Sequence, residues 1–203
     1  LFRSFITEEN DYIQIANELG IKRLNEENAP THFARHPLVY LVEAADDICY
    51  QMMDIEDAHK LKLLTTKEAK ELYELFLDED KMERASKIYE FVSDSNEQIA
   101  YLRATVIGIL VQECTKIFIE NENSILEGNF NGTLIKHINQ PLKEAYEKCT
   151  KVAVSKIYKS RDVVDIELAG FHVISTLLEL MIDAVQFPEK AYSQLLINRV
   201  SSQ

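Results

Sequence analysis

Six carboxylates crowd one stretch of this chain. Between Arg35 and Lys60, in the string HPLVYLVEAADDICYQMMDIEDAHK, stand Glu43, Asp46, Asp47, Asp54, Glu56 and Asp57, and no basic residue intervenes before Lys60. Carboxylates gathered on one surface either hold a hard or borderline divalent cation or simply stay wet. Like charges three or four positions apart on a helix, here the pairs 43/46, 43/47 and 54/57, each cost about 0.2–0.5 kcal/mol. A bound cation would offset that repulsion. At 100° per residue, Asp46, Asp57, Tyr50 and Asp54 fall at about 0°, 20°, 40° and 80° of one helical wheel. Leu41, Ala45, Ile48, Met52 and Ile55 are expected on the opposite side. An amphipathic surface helix gives the same pattern, so both readings stand. His is the usual companion of carboxylate in a transition-metal site, yet no His pair lies at ligand spacing. His36, next to Pro37, reads as a helix-entry residue and His59 as a solvated cap. The spacing alone supports no more than one carboxylate of a metal site.

The elements that must carry this arc are helices. Thr7 with Glu8 and Glu9 predicts an N-cap, followed by the stripe Tyr12, Ile15, Ala16 and Leu19, with Gly20 as terminator. Residues 21–35, with Asn25, Asn28 and Pro30, read as a loop. Pro37 suits a first helical turn, and the pattern runs on to about Leu63. Thr65 and Glu68 predict a capping box, as do Ser95 and Gln98 for a long helix reaching about Ile119, with a shorter segment near 80–92 between. EGNFNGTL, residues 127–134, carries turn chemistry. Asn139 before Pro141 predicts a further helix with Leu142, Ala145, Tyr146, Cys149, Val152 and Ala153 on one face. Asp162 reads as the N-cap of a last long helix that ends before Pro188. With no confident strand, the fold class is all-α: an irregular multi-helix bundle in a single domain over residues 1–203.

Composition narrows the function classes. A formal charge of −12 opposes an electrostatic grip on nucleic acid. Cys49, Cys114 and Cys149 read as buried thiols of a reducing compartment. The sequence reads as lacking both a signal peptide and an apolar run of about 18 residues, which predicts a soluble, cytoplasmic protein without a membrane partner.

The string ARHPLVYLVEAADDICYQMMDIED resembles the C-proximal signature of the bacterial deoxyguanosine triphosphate triphosphohydrolases, a branch of the HD-domain phosphohydrolases. ITEENDYIQIANELG, YLRATVIGILV, ILEGNFNGTL and IYKSRDVVDIELAGFHVISTLLELM are similar to further stretches of the same family. The resemblance implies part of an HD-domain fold and hydrolysis of a deoxynucleoside triphosphate to deoxynucleoside and inorganic triphosphate, water attacking the α-phosphorus as the 5′-oxygen leaves. It implies a divalent metal, magnesium or manganese, held by a His, a His-Asp pair and a distant Asp, the last matching Asp46. Tyr50 matches a residue packing on the deoxyribose and Asp54 one that faces the sugar. Glu167 and Tyr158 match positions near the nucleotide. Arg103 is a candidate for phosphate, against the simpler reading as a structural ion pair. Homo-oligomers, commonly hexamers, are the family's habit.

The departure from the family is equally specific: there is no His-Asp dipeptide. Catalytic residues and the remaining metal ligands are therefore expected upstream of an internal fragment of a larger protein. The alternative is a non-catalytic nucleotide-binding or oligomerisation domain of an HD-family relative.

Overall fold

The computed structural model describes residues 6–25 and 31–200. Asn28 and Pro30 of the expected loop, and the chain ends, lie outside them. The described residues form helices, with one isolated antiparallel bridge between Arg23 and Phe33 inside the stretch read as loop. Leu24 N–H to His32 O and Ala34 N–H to Lys22 O, each 2.8 Å, make that pairing. The all-α reading holds, and it agrees with an HD-domain origin. Two compact units, residues 1–153 and 154–203, are described separately.

In the first unit, α1 (Glu9–Glu18) follows a 3-10 turn at Ile6–Glu8. That turn displaces Thr7 from the cap, and Glu8 takes the position without a side-chain cap hydrogen bond to the helix. The terminator is as expected: Gly20 has φ +66°, Gly20 N–H reaches Asn17 O and Ile21 N–H reaches Ala16 O, the paired bonds of a left-handed C-terminal motif. Then come α2 (Pro37–Lys60), α3 (Thr66–Glu74), α4 (Glu79–Phe91), α5 (Ser95–Glu120), the short α6 (Glu122–Leu126), a 3-10 turn at Leu134–His137, and α7 (Gln140–Val152). The Thr65–Glu68 capping box is formed in full. The second expected box is not: Asp94, a stronger acceptor one residue earlier, caps α5 through Asn96 N–H, and Gln98 turns its amide to the Val92 and Tyr89 carbonyls.

The core of this unit lies where α2 meets α5. Ala44, Ile48, Met52 and Ile55 repeat at three- and four-residue steps, as do Ile99, Leu102, Val106 and Leu110, and all are buried. Leu41 and Ala45, expected on that face, are exposed instead. Buried tyrosines lock other elements to α2 through main-chain carbonyls. Tyr73 OH donates to Met52 O at 2.7 Å from α3, and Tyr40 OH of α2 donates to Phe130 O at 3.1 Å. The 127–134 turn closes on this anchor, Tyr40 and Phe130 meeting edge to face at 5.4 Å.

Gly128 is where that turn admits no side chain. Its φ is +74°, and an added Cβ would sit 2.7 Å from the Ala34 Cβ and 3.0 Å from a Leu24 methyl. Gly128→Ala is expected to lower the free energy of unfolding by about 2–3 kcal/mol, from backbone strain plus overlap. Gly20→Ala, at φ +66° with nothing within 4 Å, is expected to cost only about 1 kcal/mol. Urea midpoints of both variants measure the difference, and equal losses would mean that the Ala34 contact yields freely.

Cys114 and Cys149 are buried as expected, but Cys49 is exposed on α2. Its position in the sequence sits among apolar residues, but that side of the helix is not covered within this chain. Burial pushes the Cys149 thiol up to about 12 and Cys114 up to about 11, from 9.0, and raises the Tyr73 phenol as well. Groups whose folded pKa lies above the unfolded one bind their protons more firmly in the native state, so their stability contribution is complete below pH 9 and is lost as pH rises. By pH 10 each thiol is expected to withdraw about 1 kcal/mol. Urea midpoints between pH 8 and 10 should fall, with a shallower slope in Cys149→Ala, and a flat profile would contradict the assignment.

The second unit holds α8 (Arg161–Gln186) and α9 (Ala191–Val200), which pack on each other with the small residues Ala184 and Ser193 buried. Ser160, not Asp162, occupies the N-cap position of α8; Asp162 lies in its first turn, where a carboxylate also favours the helix dipole. α9 had no clear signal, because Pro188 masked a restart two residues further on. α8 is long and apolar enough to cross a membrane by length and composition. Glu179 and Asp183 interrupt its apolar residues without making the helix polar. Only 6% of its apolar window is buried within the described residues.

Candidate functional site on helix α2

The site is the solvent-facing side of α2. His36 opens the helix, its Nδ1 accepting from Leu38 N–H at 3.2 Å, with Pro37 in the first turn. This agrees with the helix-entry reading. His59 is not a solvated cap: its Nε2 lies 2.9 Å from Thr66 Oγ1 and joins the end of α2 to the start of α3.

α7 supports α2 just behind the acidic arc. Tyr146 OH donates to the Asp47 carbonyl at 3.0 Å, and Thr150 Oγ1 donates to Gln51 Oε1 at 2.8 Å. Both contacts join residues 99 positions apart. No local pattern in the sequence signals them.

Three of the six carboxylates find cations from outside the string or at its end. Arg35 pairs with Glu43 and lies 4.5 Å over the Tyr40 ring. Glu56, almost fully buried, meets Arg103 Nη1 at 2.8 Å and Lys60 Nζ at 3.0 Å. Asp57 lies 3.7 Å from the same Lys60. The apparent lack of partners therefore dissolves for these residues.

Asp46 and Tyr50 remain on the open face, Tyr50 with 67% of its surface exposed, and Asp54 is half-buried nearby on the same arc. Asp47 turns inward. Its carboxyl is held above the ordinary value, first by burial and then by the Glu43 and Asp46 charges, with Lys136 opposing. Lys136, from the 3-10 turn before α7, is a neighbour that sequence reasoning missed.

Arg103 does not join the arc. Glu56 falls at about 280° on the wheel that places Asp46 at 0°, and Arg103 is engaged there from α5. Tyr158 and Glu167 belong to the second unit, Tyr158 in the turn that follows the π-helical Ala153–Ile157 and Glu167 exposed on α8 itself. The residues brought together in one place are thus Asp46, Tyr50 and Asp54.

Among the described residues, no group of three or more His, Cys, Asp or Glu is arranged to hold a metal ion. Asp46 has the chemistry of one oxygen ligand: an exposed carboxylate with no ion pair among the described residues. The segment fits one ligand and not a whole centre.

No protein-family model matches the chain. Curated proteins do. A deoxyguanosinetriphosphate triphosphohydrolase-like protein of Pseudomonas aeruginosa (strain LESB58) is 30% identical over 171 residues, covering 84% of this chain and 37% of the relative. The deoxyguanosinetriphosphate triphosphohydrolases of Yersinia enterocolitica and Yersinia pestis (strain Pestoides F) are each 30% identical over 196 residues, covering 89% of this chain and 38% of the relative. The chain spans well under half the length of the relatives it matches.

Proposed function

Since this chain belongs to the deoxyguanosinetriphosphate triphosphohydrolase family over the segment it matches, we propose that the protein containing it hydrolyses a deoxynucleoside triphosphate to deoxynucleoside and inorganic triphosphate. The single observation that supports the reading is that Asp46, Tyr50 and Asp54 share one face of α2.

In this reading Asp46 contributes one ligand to a divalent cation completed by residues outside this segment. Such an ion supplies charge neutralisation on the phosphates and lowers the pKa of a bound water. Tyr50 presents a ring face to the sugar, and its bulk discriminates against a 2′-hydroxyl. Asp54, one turn further on, faces the sugar. Arg103 contributes indirectly, by fixing the back of α2 through Glu56. Glu167 and Tyr158 stand near the nucleotide in this reading only through the resemblance of their surrounding stretch to the family. The reading keeps the protein in a reducing cytoplasm as a homo-oligomer, which its three free cysteines suit.

The test is release of inorganic triphosphate from dGTP and GTP, with magnesium or manganese, by the complete product of the gene that encodes this chain. Release from dGTP at a rate at least tenfold above GTP is expected. The absence of a three-ligand cluster among the described residues favours a second reading, a nucleotide-binding or assembly module without chemistry. Binding of dGTP without release of triphosphate would select it.

A further inference from the structure

The two hydrogen bonds between α7 and α2 form a ladder. Tyr146 OH donates to the Asp47 carbonyl at 3.0 Å. Thr150 Oγ1 donates to Gln51 Oε1 at 2.8 Å, the closer of two acceptors it faces, the other being the Tyr146 carbonyl at 3.1 Å. Each rung joins residues 99 positions apart, so the two share one register. They stand one turn apart, about 6 Å along each helix. A slide of α7 by one turn takes both out of reach, and a roll of either helix strains both.

The α7 residues that pack inward beside these rungs are small. Ala145 and Cys149 are buried, each one residue before a rung. Contact between apolar groups is non-directional, whereas a hydrogen bond weakens steeply away from its preferred geometry. The hydroxyls therefore set the angle at which α7 holds α2.

On α2 each rung stands one residue behind the arc: Asp47 follows Asp46, and Gln51 follows Tyr50. Asp46 and Tyr50 are themselves exposed. Their aim depends on the helical turn that carries them. Tyr146 grips that turn at a main-chain oxygen. Thr150 grips it through Gln51, a side chain 7% exposed whose Nε2 has no acceptor among the described residues, which leaves Thr150 to orient the amide.

We propose that Tyr146 and Thr150 are positioning residues that set the rotation of α2, aiming Tyr50 at the sugar and Asp46 at the cation. The inference rests on the roles given above to Tyr50 and Asp46. Misplacement of a positioned group by about 1 Å can cost about 10²-fold in rate. Discrimination by bulk depends on where the Tyr50 ring stands, so loss of a rung lowers the preference for a deoxyribose over a ribose.

The experiment measures kcat and KM for triphosphate release from dGTP and from GTP, together with urea midpoints, in the complete gene product and in its variants Tyr146→Phe, Thr150→Val and Thr150→Ser. Tyr146→Phe keeps the ring and leaves the Asp47 carbonyl its helical N–H, so its midpoint should stay near that of the parent. Its ratio of kcat/KM for dGTP over GTP is expected to fall about fivefold or more, the loss arising on dGTP. Thr150→Val should lower the ratio likewise, and Thr150→Ser, which keeps the hydroxyl, should restore it. A parental ratio in both Tyr146→Phe and Thr150→Val would overturn the proposal. Equal losses on the two nucleotides with a lowered midpoint would overturn it too, since that is how a merely structural contact behaves. Where Thr150→Val folds poorly, the ratio in Tyr146→Phe decides alone.

A parent that releases no triphosphate sinks the hydrolase reading, and the same comparison is then made with dissociation constants for dGTP and GTP. A lower preference for dGTP in Tyr146→Phe keeps the positioning role in that case. An unchanged preference, or a parent that binds neither nucleotide, overturns it.

Discussion

Asp46→Ala in the complete gene product is expected to reduce triphosphate release from a deoxynucleoside triphosphate by about 10³-fold, the equivalent of about 4 kcal/mol of transition-state stabilisation. Its urea midpoint should stay within about 0.5 kcal/mol of the parent, as for other exposed substitutions away from packed features. The two readouts separate because Asp46 is exposed and, among the described residues, has no ion pair. Asp47→Ala is the matched control. That residue is half-buried, with its carboxyl raised by burial and by its acidic neighbours. Removing it relieves repulsion and is expected to leave activity within about tenfold. A reversed result, with Asp47 essential and Asp46 dispensable, would transfer the ligand role by one residue and take the arc with it. If neither substitution matters, the site lies elsewhere.

The helices were legible because their signals are local. Pro37 at a first turn, Thr65 with Glu68, and the three- and four-residue recurrence of Ile48, Met52 and Ile55 each state a structural demand within a few residues. Caps shifted within one turn: Asp94 wins over Ser95 by accepting from Asn96 N–H, whereas Ser160 holds the position assigned to Asp162 without a side-chain cap bond. The arc of Asp46, Tyr50 and Asp54 was legible as geometry, but the partners of its neighbours were not. Arg35 for Glu43, Arg103 for Glu56 and Lys136 opposite Asp47 are tertiary choices. A string without an internal Lys or Arg therefore looked unpaired when at least half of its acids have partners. Cys49 shows the converse error. Its apolar neighbours predicted burial, but Ile48 and Met52 turn into the core while Cys49 is exposed.

Arg103→Met is expected to destabilise the protein by about 3 kcal/mol, because it leaves a buried carboxylate short of a cation. Glu56 is 95% buried, and its two oxygens face Arg103 and Lys60 separately, so Lys60 compensates only in part. The Arg103 contact is a close charge pair without an aligned hydrogen bond at Glu56 Oε2, and Arg103 Nε has no acceptor. Geometry of that kind yields less than an ideal pair, yet breaking it from one side still exposes the full desolvation cost of the other. The double variant Glu56→Met with Arg103→Met should recover most of the loss, since well-packed apolar groups replace a buried pair at little net cost. Urea midpoints of the parent, both single variants and the double variant close the cycle. A phosphate-binding Arg103 would behave otherwise: the single variant would keep its midpoint and raise KM for the triphosphate. A rise in KM with an unchanged midpoint would move Arg103 from the frame that holds α2 into the site itself.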